Sequence, residues 1–301
     1  HAHHGLTPPG SHLSDGHPIR AGWDVGRARF GTRTLKATDA ARAWLELRIQ
    51  AWLAGVTFDT CHVTPHLIER LQPARCPITR EDLAPAGRRG GGAQVERLNR
   101  QKGFAPGNLV VMGHRAAQAR ACGGFRQAIE QLERLEADRE PGHLGLPTGA
   151  WARLAILESF GVALAHDEAA RLPLLLLPPP RVPVANPAQS LQVMLTVQLT
   201  EPGYARRLAA LAARVETTRS RQALQVFLHT LLARRVALGR VSPIELRHGL
   251  EDAWRHPLVN QRWQAFALGM TPNACERLVA FGVEQCRTQG NGHPRVAMSS
   301  H

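Results

Sequence analysis

The chain has 301 residues, 44 % of them hydrophobic and only 5 % aromatic, which is long enough for two modest domains with apolar cores. Its formal net charge is +13 and its pI is about 11.1, a balance that favours an anionic partner. Five scattered cysteines argue against a secreted disulfide framework, the opening residues hold no apolar signal segment, and the run LPLLLLPPP is too short to cross a bilayer, so the expectation is a soluble, cytoplasmic protein without membrane partners.

Residues 1–33 are rich in His, Gly, Pro and Ser and read as a flexible arm. From Thr38, an N-cap, the pattern turns helical through Leu45, Ile49, Trp52 and Leu53, and Gly55 sits where the helix should stop. VTPHLIERL forms a second, short helix capped by Thr64 with Pro65 at its first position. The stretch CPITREDL follows, then APAGRRGGG, a glycine-rich loop carrying Arg88 and Arg89. VERLNRQKGFAPGNLVVMGHRAAQAR, Val95 to Arg120, reads as strand, turn at Gly107-Asn108, strand and helix, the helix opening at His114. The amide of Asn108 is suited to bridging loop backbone groups. After an interruption at Gly123-Gly124 the apolar stripe Phe125, Ile129, Leu132 and Leu135 continues.

A helix from about Ala150 to Ala165 precedes the proline-rich stretch Pro173–Pro187, read as a poorly packed connector and the main domain boundary. Residues 188–290 follow as a helical domain and 291–301 as a frayed end. SLQVMLTVQL alternates strictly, as a strand does, but has no strand partner nearby, so helix is the reading adopted. Only Lys36 and Lys102 are lysines. The arginine excess is open to two explanations, bidentate phosphate binding or codon usage in a GC-rich genome.

The ordered series VTPHLIERL, CPITREDL and VERLNRQKGFAPGNLVVMGHRAAQAR, over about residues 58–135, resembles the HNH endonuclease family, in particular its phage and mobile-element branch with the ββα-metal fold. The resemblance implies an HNH-like core within residues 34–140 with flanking helices; with the helix and proline-rich linker over 141–187 and the helical domain 188–290 read from the pattern above, the expectation is a mainly α chain with a small β-hairpin. It implies a strand acid at Glu96, a loop asparagine at Asn108, and Mg²⁺ or Mn²⁺ as cofactor. Departures fall at the site itself. Arg97 follows the acid, Asn99 replaces a second acid, Ala117 stands where the helix supplies a metal ligand, and Arg120 replaces a lysine.

His114 shares a helix face with Ala117 and Gln118, so Glu96 and His114 are the candidate metal ligands, and His114 is the candidate base for activating water. Asn108 completes the candidate catalytic set. Arg88, Arg89, Arg97, Lys102, Arg115 and Arg120 are the candidate phosphate contacts to DNA. Two functions follow from the resemblance: metal-dependent phosphodiester hydrolysis, or an inactive HNH-like domain kept for DNA binding or assembly. Cys61, His62, His66, Cys76 and Cys122 contain no C-x-x-C pair, so structural zinc is not expected.

Overall fold

A computed structural model describes residues 14–30, 38–88 and 92–288. Within the supposed flexible arm, Pro18–Phe30 forms helix α1, whose described side chains are mostly exposed; residues 1–13 and 31–33 of that arm, and the expected frayed end 291–301, lie outside the described residues. Helices α2 (Asp39–Leu53) and α3 (Pro65–Leu71) begin as their caps dictate. Thr38 Oγ1 accepts from Ala41 N, and Thr64 Oγ1 accepts from Leu67 N, with Pro65 at the first helical position. Gly55 follows α2 with φ +63°, a conformation glycine adopts without penalty.

Strands β1 (Gln94–Arg97) and β2 (Leu109–Met112) form an antiparallel hairpin in which Gln94 faces Met112 and Glu96 faces Val110. Helix α4 (His114–Ala121) follows at once and packs on β1. The hairpin is a wall between two apolar clusters. Val95, Leu109 and Val111 join α2 and α3 on one side. Val110 and Met112 join Ala116 and Ala117 of α4 on the other, in a cluster that continues to Val279. Period-two alternation sends neighbouring residues of β2 into different cores, and both faces are buried.

Beyond α4 come α5 (Phe125–Ala137), a tiny β3–β4 hairpin (Gly142–His143 and Leu146–Pro147), α6 (Thr148–Ser159) and α7 (His166–Arg171). The proline-rich stretch that follows corrects the expected poorly packed connector. Leu174 to Leu177 and Val182 are buried in the larger cluster. Leu177 N donates to Glu251 Oε1 at 2.9 Å, and Asn186 Nδ2 donates to the carbonyls of Ser159 and Val162 at 3.0 Å each. Prolines here fix a backbone that lies against the core.

The alternating SLQVMLTVQL segment is helical, part of α8 (Pro187–Thr200). Residues 191–196 are all buried, so the helix is enclosed by neighbours and its period of 3.6 is invisible in the sequence. Helices α9 (Tyr204–Ala213), α10 (Thr218–Ala237), α11 (Pro243–Ala253), α12 (Pro257–Ala267) and α13 (Pro272–Thr288) complete the chain around Phe227, Trp254, Trp263 and Phe266. Arginines also work inside this fold on backbone carbonyls. Arg207 donates to Gln198 O (3.2 Å) and Arg235 to Leu199 O (2.9 Å), carbonyls in the last turn of α8, while Arg207 also reaches Pro202 O (2.7 Å) and Arg221 reaches Val215 O (2.9 Å) in the loops.

Candidate functional site

The hairpin and α4 carry Glu96, Asn108 and His114, each with its own partners. The turn between β1 and β2 is built by Asn108. Its Oδ1 accepts from Asn99 N at 2.7 Å, and its Nδ2 donates to the carbonyls of Asn99 and Gly103 at 2.9 Å each. The amide is buried and fully engaged with backbone. Its expected bridging role holds, whereas a direct part in chemistry does not fit a side chain so committed. Arg97 serves the same turn. Its Nη1 donates to the carbonyls of Arg100 (2.7 Å) and Lys102 (2.9 Å), and its guanidinium lies 5.1 Å over the Phe104 ring. Gly103 allows this turn to dock, since a Cβ there would lie 2.0 Å from Thr57 Oγ1 and 2.4 Å from Thr57 O.

Glu96, paired with Val110, stands on the α4 face of the hairpin with 40 % of its side chain exposed. Its neighbour is the Arg120 guanidinium, with Nη1 at 3.8 Å from Glu96 Oε2. Arg120 is only 2 % exposed. Its Nε donates to the Glu158 carboxylate of α6, its Nη2 to Leu98 O, and its own carbonyl accepts from Arg100. Arg120 is therefore corrected from a phosphate contact to a buried structural cation, shared between hairpin, α4 and α6. Burial raises the Glu158 carboxyl above the usual carboxylate range, and the Arg120 charge beside it opposes that rise.

His114 is exposed at the first turn of α4, with Nδ1 2.9 Å from Gln94 Nε2. The contact ties the exposed imidazole to the first residue of β1. Ala117 is buried and has no donor atom, and Gln118 is exposed. Among the described residues no hydrogen bond or ion pair joins Glu96 to His114: an arginine attends the acid and an amide attends the imidazole. Among the described residues no three His, Cys, Asp or Glu side chains gather as a metal-ligand group, and the cation beside Glu96 is the Arg120 guanidinium.

The remaining cations divide. Arg115 is ion-paired with Glu81. Arg88 and Lys102 are exposed, with no ion pair drawn to either side chain among the described residues, and Arg89 lies outside those residues. Cys76 is buried, its sulfur accepting from Thr79 N and Gly113 N, so it braces the strand–helix junction. Cys61 and Cys122 are exposed and His62 pairs with Asp59. Two partners escaped the sequence reading. Gln94 looked like an ordinary strand residue. Glu158 carried a signal, a lone carboxylate inside the apolar helix WARLAILES, since a charge so placed is buried and paired. No family model, no curated protein and no solved structure matches the chain.

Proposed function

We propose that the chain is an HNH-like ββα module that binds nucleic acid without hydrolysing it. What carries this reading is the Arg120 guanidinium beside Glu96: an organic cation, anchored by Glu158, attends the one acid the site retains. Loss of a donor at Ala117 and the bond from Gln94 to His114 point the same way. The net charge of +13 and the free Lys102 on the hairpin turn support an anionic, phosphate-bearing partner.

Two measurements on one preparation test this. The expected result is salt-sensitive binding to a DNA duplex, together with no nicking of supercoiled plasmid in Mg²⁺ or Mn²⁺. Metal-dependent nicking that EDTA abolishes and Glu96→Ala removes would establish an endonuclease instead, as the family resemblance alone implies. Absence of both binding and cleavage would overturn the nucleic-acid reading altogether.

A further inference from the structure

Away from the hairpin, three arginines from distant parts of the chain gather where α6 begins. Gly149, in the first turn of α6, has no side chain, and two guanidinium groups use the space. A Cβ at Gly149 would lie 2.8 Å from Arg255 Nη1 and 3.9 Å from Arg153 Nη1. Arg80 belongs to the same group, and its charge, like that of Arg255, bears on Arg153. Burial, then the Arg80 charge, lowers the Arg153 guanidinium to about 10, with Asp252 and Glu251 opposing the fall.

The acids nearby do not balance the cluster. Glu251 is 3 % exposed and already accepts from Leu177 N and Arg247 Nε, with Arg80 Nη2 at 3.4 Å. Asp252 takes Arg80 Nη1 at 2.6 Å. Arg153 spends its Nε on Ile78 O at 2.6 Å. Arg255 is exposed and has no carboxylate within ion-pair distance among the described residues. Arg80 is also chain neighbour to Glu81, the partner of Arg115 at the start of α4, so the cluster adjoins the ββα unit through the loop at 76–82.

We infer that Arg153 and Arg255 form a second phosphate-contact patch, backed by Arg80 on Asp252 and Glu251, on which the backbone of a nucleic acid bound at the hairpin continues onto the helical half of the chain. The inference rests on the nucleic-acid reading above and gives the helical half a part in it. Guanidinium groups suit phosphate because their paired donors match its oxygens, and cations clustered beside the hairpin answer to a chain of phosphates better than to a single small anion.

Binding of a fluorescent DNA duplex, followed by anisotropy across a salt series, tests it with four proteins beside the wild type: Lys102→Ala at the hairpin, and Arg255→Glu, Arg255→Lys and Asp252→Asn at the patch. Arg255 and Asp252 are exposed, so these changes leave the core intact. Expected are weaker binding for Arg255→Glu at every duplex sequence with a salt slope lower by about 1, an intermediate loss for Arg255→Lys with the salt slope kept, and tighter binding for Asp252→Asn. The last is a gain that misfolding cannot imitate. Weakening by Lys102→Ala with no change in any patch variant overturns the patch and keeps the hairpin reading. The reverse pattern keeps the patch and overturns the hairpin. A wild type that does not bind overturns both.

Discussion

Replacing Glu158 by alanine should be the most damaging single change near the hairpin. Arg120 is 2 % exposed, and Glu158 takes its Nε. Without that carboxylate only the bond from Nη2 to Leu98 O remains, because Nη1 is buried without a hydrogen-bond partner and the next acid, Glu96, stands 3.8 Å off and half in solvent. A buried charge stripped of its partner costs about 3–5 kcal/mol. At roughly 2–4 °C per kcal/mol for a domain of this size, the melting temperature should drop by about 6–20 °C. Urea and thermal unfolding, both followed by circular dichroism, measure the free energy and the melting temperature, with Asp167→Ala as control, since the exposed Arg171–Asp167 pair should contribute at most about 1 kcal/mol. The double variant Arg120→Met/Glu158→Leu removes both charges and should recover most of the loss, because a buried pair replaced by apolar side chains is close to neutral. A Glu158→Ala protein no less stable than Asp167→Ala would refute the account of Arg120 as a buried cation in need of its acid.

Other outcomes follow from single contacts. Asn108→Ala strands several backbone groups of the turn and should cost about 2–3 kcal/mol in urea unfolding. Gly103→Ala forces a Cβ against Thr57 and should cost about 1–3 kcal/mol, with Gly22→Ala, which meets nothing, as its silent counterpart. The Ser242 hydroxyl, then the Ser242 backbone N–H, holds the Glu245 carboxyl below its ordinary value. A lowered carboxylate stabilises the fold above its unfolded-state pKa, and the contribution is lost as pH falls through the folded-state value. Glu245→Gln should therefore flatten the acid limb of a melting-temperature profile between pH 6 and 3. Burial pushes the Cys275 thiol up to about 12, so a thiol reagent should label exposed Cys61 and Cys122 in the native protein and leave Cys275 untouched until it unfolds.

Local signals were legible in the sequence and long-range partners were not. Thr38, Thr64 and Pro65 announced their helices because caps act over three residues. The same is true of the Gly113–His114 helix start and of the bridging amide of Asn108. Arg120 was misread because its spacing agrees with an exposed helix position, and only Glu158, 38 residues on, makes it a buried one. The proline-rich stretch was misread for a like reason. Composition describes how a segment behaves alone, whereas Leu174 to Leu177 are held by Glu251 and the helices around it. Arginine-rich composition, too, was open to phosphate binding or codon usage. Contacts add a third use, since Arg207 and Arg235 donate to carbonyls at the end of α8.

The doubly buried strand β2 has a consequence for what this hairpin can lose. Because Leu109 and Val111 face one core while Val110 and Met112 face the other, sliding the strand by one residue would exchange apolar for apolar, and burial alone would hardly object. The alignment is chosen elsewhere, by Asn108 clasping the turn and by Val95 set between polar Gln94 and Glu96. The residues that set the shape are thus a different set from those that would touch a substrate or a metal. Shape and chemistry can then drift apart: a lineage could exchange every reactive group on this surface and still fold the same hairpin, and a likeness in outline carries no guarantee of a shared reaction.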